Sequence, residues 1–144
     1  MKKPTLIILM LLVVFTLNQN IQADGVLDLR YKNNGIFITI TGSNSPIIGG
    51  LEIPDKIDGL PVRIIDRNSF RSADELTSVK IPDSVTTVLD NAFLGCTKVT
   101  ELSMGNGIEN IGVSAFSYLG IKKLELSNKL KSVSVSSFGY NYNL

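Results

Sequence analysis

Four phenylalanines recur at almost constant spacing in the second half of this 144-residue chain. Phe70, Phe93, Phe116 and Phe138 are separated by 23, 23 and 22 residues. A branched apolar residue stands five positions before each of them, and a small residue stands directly before it: Ile65, Val88, Ile111 and Val133, and Ser69, Ala92, Ala115 and Ser137. Because one such unit cannot bury its apolar face alone, neighbouring units stack into a continuous core. The sequence therefore predicts a solenoid of about four units of 22–23 residues.

Each unit begins with the pattern of a half-buried strand. The segment 76–81 ends in two apolar residues, Val79 and Ile81, with one polar residue between them, and the same pattern recurs at 99–104 and 121–126. A turn signal follows each segment: Pro82-Asp83, Gly105-Asn106-Gly107 and Ser127-Asn128. A second extended piece comes next, and about one helical turn at the phenylalanine returns the chain. We expect a β-strand-rich coil with short helical turns, in which the phenylalanines form a packed ladder.

The first 23 residues have the layout of a secretory signal peptide. Lys2 and Lys3 precede an apolar run from Leu6 to Leu17, and the small residue Ala23 ends a polar stretch. Twelve residues rise only about 18 Å as a helix, well short of the ~30 Å hydrocarbon core. We therefore expect residues 1–23 to be cleaved, which leaves a secreted chain without a transmembrane span.

Residues 24–52 do not follow the period and are expected to form an N-terminal cap and loop. Two alternating apolar runs flank Asn33-Asn34-Gly35, which is a β-hairpin pattern. A loop is expected from Gly42 to Gly50 on composition. Residues 53–144 are expected to hold the repeats, and the first repeat carries extra residues around Ile57–Pro61 that predict a protruding turn.

Composition argues against most catalytic chemistry. The chain has no His and one Cys, which excludes an imidazole base, an imidazole zinc site and an intrachain disulfide. A net charge of +1 does not favour nucleic acid. The carboxylates are dispersed without EF-hand spacing, so neither a metal nor another cofactor is expected, and an enzyme is not expected either. Cys96 shares a column with Ala73 and Leu119 and is expected to be buried.

The repeat unit resembles that of the BspA-like, or Treponema pallidum type, leucine-rich repeat family. That unit has the form L-x-x-[IV]-x-[IL]-P-x-x-[VL]-x-x-I-x-x-x-A-F-x-x-C, and residues 76–96 (LTSVKIPDSVTTVLDNAFLGC) match it closely. The resemblance covers residues 29–144 or nearly so. Departures are Ser137 in place of Ala, and Ala73 and Leu119 in the Cys column. The resemblance implies a secreted or cell-surface protein that adheres to host proteins or to other cells.

The strands of such a solenoid present columns of outward side chains that have no role in the core. Six of them are the candidate binding residues: Ser78, Lys80, Glu101, Ser103, Lys123 and Glu125. The expected partner is a host or neighbouring-cell surface protein. Two alternatives stay open: polar residues that serve only solubility, and a structural spacer or fragment of a larger surface protein. Because the sequence stops at Leu144, where a further strand is due, end-to-end self-association through the uncapped C-terminus is also expected.

Overall fold

A computed structural model describes residues 28–144, and this range contains ten β-strands. The expected signal peptide lies outside the described residues. No helix within residues 28–144 is long and apolar enough to cross a membrane. The strands are β1 Leu29–Asn33, β2 Ile38–Ser43, β3 Gly49–Glu52, β4 Lys56–Ile57, β5 Leu60–Ile65, β6 Leu76–Ile81, β7 Thr87–Val88, β8 Glu101–Met104, β9 Asn110–Ile111 and β10 Ser132–Val133.

Successive coils add parallel strands to two sheets, which confirms the predicted solenoid. The larger sheet has the order β1-β2-β5-β7-β9-β10, with β4 paired to β5, and the smaller one has the order β3-β6-β8. The register follows the sequence period, since Val88 lies opposite Ile111 and Ile111 opposite Val133. In the smaller sheet Val79 lies opposite Leu102. Each coil therefore places equivalent residues directly above those of the coil before it.

The antiparallel strands β1 and β2 form the predicted hairpin. Asn34 begins the turn, its Oδ1 accepting a hydrogen bond from the N–H of Phe37 at 2.8 Å, and Gly35 supplies the left-handed backbone with a φ of 84°. The inner face of β2 is apolar, with Ile38 and Ile40 fully buried. Since β2 also pairs in parallel with β5, the hairpin covers the first coil of the large sheet.

The four phenylalanines form a single stack through the core, as predicted. The ring centroids of successive pairs are 5.2, 5.4 and 5.4 Å apart, and their planes differ by 17, 7 and 7°. Phe93 and Phe116 are fully buried. Full burial of one such side chain contributes about 1.5–3 kcal/mol, so the ladder is a main source of stability.

The segments around the phenylalanines are hydrogen-bonded turns rather than helical turns, and no helix occurs in residues 28–144. Within one coil the N–H of Cys96 bonds the carbonyl of Phe93 at 3.3 Å. Between coils the N–H of Phe93 bonds the carbonyl of Ala115 at 2.8 Å, and that of Gly95 bonds Ser117 at 3.0 Å. In this turn every second backbone N–H bonds the next coil, and the N–H groups between them bond carbonyls three residues earlier in the same coil. No continuous series of bonds to carbonyls four residues earlier remains, so an α-helix does not form.

A left-handed residue stands two positions before and two positions after each phenylalanine. The eight residues are Asn68, Ser72, Asn91, Gly95, Ser114, Tyr118, Ser136 and Tyr140, with φ between 53 and 79°. Each pair of left-handed residues bends the chain around the ring. Seven of the eight are not glycine, so the backbone is strained at these positions on both sides of each stacked ring.

The structure differs from the sequence prediction at residues 121–126 and at the loop before β3. The predicted strand at residues 121–126 is absent: no strand is formed between β9 and β10 in the described chain. The turn from Phe116 to Ile121 is one residue shorter than that from Phe93 to Val99. The N–H of Gly120 still bonds the carbonyl of Val99, but the residues that follow do not continue as a strand beside β8. The expected loop at Gly42–Gly50 is shorter, because its ends belong to β2 and β3. The insertion forms the predicted protruding turn, a β4–β5 hairpin.

Candidate binding face

Four of the six predicted binding residues lie in two rows across the small sheet. Ser78 lies opposite Glu101, and Lys80 lies opposite Ser103 on the neighbouring strand. Glu52 of β3 lies on the other side of Lys80 and extends the second row. Because their buried neighbours Val79 and Ile81 point inward, the row residues stand on the outer face. We call this outer surface of β3, β6 and β8 the strand face.

The charges of the strand face differ in their availability. The ammonium of Lys80 lies 2.5 Å from the carboxylate of Glu52, although both side chains remain largely exposed. Glu101 is exposed and forms no salt bridge within residues 28–144. Pairing costs Lys80 part of its capacity to contact another molecule, so Glu101 is the strand-face charge most available to a partner.

The structure does not bring Lys123 and Glu125 into these rows by backbone pairing, since residues 122–127 form no strand. The two side chains pair with each other instead. The hydrogen bond and charge of Glu125 raise the pKa of Lys123, and Lys123 lowers the pKa of Glu125 in return. Both groups are highly exposed, so this pair contributes little to stability.

Glu52 belongs to the strand face and is not among the six predicted binding residues. Residues 24–52 lack the phenylalanine period, so the sequence predicts a cap and loop there instead of a repeat strand. A signal was nevertheless present: Leu51-Glu52-Ile53-Pro54 has the same pattern as Val79-Lys80-Ile81-Pro82. Equivalent positions in that alignment are Glu52 and Lys80, which the structure places side by side.

Several of the dispersed carboxylates connect one coil to the next. Asp83 accepts a hydrogen bond from the backbone N–H of Asn106 at 2.8 Å, and Asp90 accepts one from Val113 at 2.9 Å. Glu75 and Glu109 form ion pairs with Lys98 and Lys131 of the following coils, each at 2.8 Å. These acids contact the following coil, which gives them a structural reason for their positions, although the exposed ion pairs contribute little to stability.

A cavity of about 340 Å³ lies beside the first coil, under the loop that leads to β3. Arg71, Asp74 and Glu75 are its charged lining residues, and Ile47 and Phe70 supply apolar surface. The cavity is partly open to solvent. Within residues 28–144, no cluster of three His, Cys, Asp or Glu side chains has the arrangement of a metal site.

Cys96 is buried, as its column predicted. Its thiol contacts the carbonyl oxygen of Phe70 at 3.0 Å. Burial raises the pKa of Cys96 to about 11, with the charge of Asp74 acting in the same direction against a hydrogen bond from Ala73. A thiol with so high a pKa is a poor nucleophile at neutral pH.

The repeat geometry agrees with a comparison of the sequence with family models. The model for the BspA type leucine-rich repeat region, in six copies, matches residues 63–144. The chain belongs to this leucine-rich repeat family. No match was found among curated proteins.

Solved structures of leucine-rich repeat proteins are similar to this BspA-type chain. A T. pallidum leucine-rich repeat protein matches 81% of the chain at 25% identity with a TM-score of 0.66. A leucine-rich cell surface protein of Faecalibacterium prausnitzii matches 74% at 25% identity with a TM-score of 0.56. A leucine-rich repeat protein of Bacteroides capillosus, at 18% identity and a TM-score of 0.64 over 80% of the chain, shows the shared fold alone.

The BspA-type chain differs in length from these relatives. It covers 66% of the T. pallidum protein, 28% of the F. prausnitzii protein and 95% of the B. capillosus protein. The chain therefore spans nearly all of one of these relatives and less than a third of another.

Proposed function

We propose that this chain is a secreted or cell-surface protein that adheres to another protein through its strand face. The observation that carries the proposal is the in-register row of Ser78 and Glu101, which have no core role. Glu101 has no salt-bridge partner within the described residues, so a cationic group of a partner would meet an uncompensated carboxylate there. The similarity to a cell surface protein of F. prausnitzii supports an extracellular location.

The expected signal peptide of residues 1–23 supports the same location on sequence grounds. Its test is direct: expression of the complete reading frame in a bacterial host, followed by mass spectrometry of the exported chain. We expect a mature N-terminus at Asp24. An uncleaved chain retained in the cytoplasm would remove the export part of the proposal and leave the binding part standing.

The binding test uses the fluorescently labelled chain and whole cells, bacterial and epithelial, before and after trypsin treatment of their surfaces. A protein partner predicts saturable binding that trypsin abolishes. Glu101→Lys, combined with Ser78→Arg, reverses the charge of the strand face without touching the core and should weaken binding at least tenfold. Equal binding by this double variant would remove the strand face from consideration.

A matched control is available on a different surface. Glu109 and Lys131 form an ion pair between coils on the large sheet, where Lys131 is exposed. Lys131→Ala changes one exposed charge outside the strand face, so cell binding should be unchanged. Thermal melts of all variants separate a lost contact from a lost fold.

A spacer role is the second candidate, favoured by the ion pairs that join successive coils. Glu52–Lys80, Glu75–Lys98 and Glu109–Lys131 each join one coil to the next, so part of their charge is used within the stack. A spacer predicts no trypsin-sensitive binding to either cell type. Self-association through the C-terminal end stays a prediction of the sequence, and sedimentation velocity over a hundredfold range of chain concentration tests it.

A further inference from the structure

Three of the four tyrosines of this chain form one exposed cluster, and none of them belongs to the strand face. The rings of Tyr118 and Tyr140 are stacked, with centroids 4.5 Å apart and planes 13° apart. Tyr142 meets Tyr140 edge-on at 6.2 Å and 60°. Tyr118, Tyr140 and Tyr142 are 42, 54 and 83% exposed, so the cluster presents aromatic surface to solvent. We call these three residues the tyrosine platform.

The platform occupies a backbone position that favours small residues. Tyr118 and Tyr140 stand two positions after Phe116 and Phe138, where the first two coils have Ser72 and Gly95. All four have positive φ, and that of both tyrosines is 59°. A bulky side chain is strained in this conformation, whereas glycine is not. Two consecutive coils thus carry an aromatic ring at a position where it adds backbone strain and stays 42 and 54% exposed.

The platform is held rigidly by the residue between its last two members. The carboxamide of Asn141 donates to the carbonyls of Phe116 and Phe138 at 3.0 and 2.9 Å. Its oxygen accepts the N–H of Leu119 at 2.7 Å. These bonds tie Asn141 to the Phe116 coil, which fixes the chain between Tyr140 and Tyr142 and limits the ordering that binding would require.

The two chain segments that carry the platform contain no charged side chain. The segments 112–121 and 132–144 contain no Asp, Glu, Lys or Arg. The Tyr118 phenol is neutral at physiological pH because its ordinary pKa is 10.0, and burial, together with the neighbouring tyrosines, raises that pKa further. These segments therefore offer exposed parts of the aromatic rings, phenol hydroxyls and the exposed carboxamide of Asn143, without a charged side chain.

These properties select among ligands that bind aromatic side chains. A single-stranded nucleic acid needs cations beside the rings, and the platform segments have none. A proline-rich peptide needs rings that stand apart as the walls of a groove, whereas Tyr118 and Tyr140 are in contact. A neutral saccharide needs aromatic surface for its C–H groups and uncharged hydrogen-bonding groups beside it. Tyr142, which is 83% exposed, and the outer edges of the stacked pair supply the first, and the phenol hydroxyls and Asn143 supply the second.

We propose that the tyrosine platform is a binding site for neutral glycans, separate from the protein-binding strand face. The probes are three uncharged polysaccharides, amylose, mannan and a mixed-linkage β-glucan, each cast into a native gel for affinity electrophoresis of the complete chain. At least one of them should retard the chain. The chain has no Trp, so intrinsic tyrosine fluorescence should report the same binding directly, as a saturable change in emission.

The decisive variant is Tyr118→Gly with Tyr140→Gly, which places the residue of the second coil at both positions. Glycine relieves the backbone strain there, so the fold is expected to persist, and a thermal melt verifies it. Glycan affinity should fall at least tenfold. Tyr142→Ser, which lies outside the stack, provides a second variant with an expected loss of affinity.

The control is Tyr31→Ser, which removes the fourth tyrosine, an exposed residue of the hairpin. Its glycan affinity should equal that of the unaltered chain, as should that of Glu101→Lys. Retardation by none of the three polysaccharides, or equal retardation of the double glycine variant, would overturn the proposal. Binding of polyuridylate or of a proline-rich peptide in place of the glycans, with loss in the double glycine variant, would overturn it in favour of that other ligand class.

Discussion

The ring of Phe93 lies parallel to that of Phe116, with centroids 5.4 Å apart and planes only 7° apart. Both side chains are completely buried. The backbone reinforces the stack, because the N–H of Phe93 bonds the carbonyl of Ala115, next to Phe116, at 2.8 Å. Ring stacking and backbone bonding thus connect the same two coils at the same point.

Replacement of Phe93 by Ala should therefore remove contacts on both sides of the ring. We expect Phe93→Ala to lower the free energy of unfolding by roughly 3–5 kcal/mol, measured by urea denaturation. Phe138→Ala is the matched comparison, since Phe138 stacks on one ring and is only partly buried. A loss at Phe138 as large as that at Phe93 would contradict the central role of the inner rings.

Gly107 tests how closely the coils approach each other at the turn after β8. A Cβ atom at this position would lie 1.8 Å from the carbonyl oxygen of Asp83. Because that neighbour is backbone, relief requires the coils to separate, and Gly107→Ala should cost about 3 kcal/mol. The control Asn106→Ala keeps the backbone N–H that bonds Asp83 and should cost much less. Equal thermal stability of the two variants would disprove the close contact.

The buried thiol of Cys96 should be inert in the folded protein. Because its pKa is raised to about 11, almost none of it is ionised at a pH of about 8, and the thiolate is the reactive form. We expect a disulfide reagent such as dithionitrobenzoate to react slowly with the folded chain and rapidly, with one thiol per chain, in denaturant. Rapid reaction of the folded chain, under conditions where circular dichroism shows no unfolding, would refute this.

Asp66 should make stability depend on acidity. Burial by itself raises the pKa of Asp66, but the N–H of Arg67 and the ammonium of Lys32 outweigh it and hold the pKa below 3.8. The folded state therefore binds this proton less tightly than the unfolded state does. The resulting stabilisation is present above pH 3.8 and is lost as the pH falls from there through the lower pKa of the folded state.

Asp66→Asn should accordingly flatten the fall in melting temperature in that acidic window. Asp55→Asn, at an exposed position in the same coil, serves as the matched control and should follow the unaltered chain more closely. A profile for Asp66→Asn that is parallel to that of the unaltered chain below pH 3.8 would show that the pairing with Lys32 and Arg67 does not stabilise the fold.

The sequence by itself determined the period, and with it the solenoid, the phenylalanine stack, the hairpin and the burial of Cys96. These features follow from which residues recur every 22–23 positions and from short alternating runs, both of which are local or periodic properties. The same period showed which positions share a column. It thereby predicts that Ser78 lies beside Glu101, and Lys80 beside Ser103, as the structure confirms.

The tertiary structure alone decided what the side chains in each column do. The single-residue shortening after Phe116 is visible in the sequence, but only the path of the backbone shows that residues 122–127 form no strand beside β8. The pairing of Lys80 with Glu52, the bonds of Asn141 and the contact of Tyr118 with Tyr140 depend on distances between coils. A repeat pattern specifies which residues become neighbours, whereas side-chain direction and backbone strain set the contacts those neighbours make.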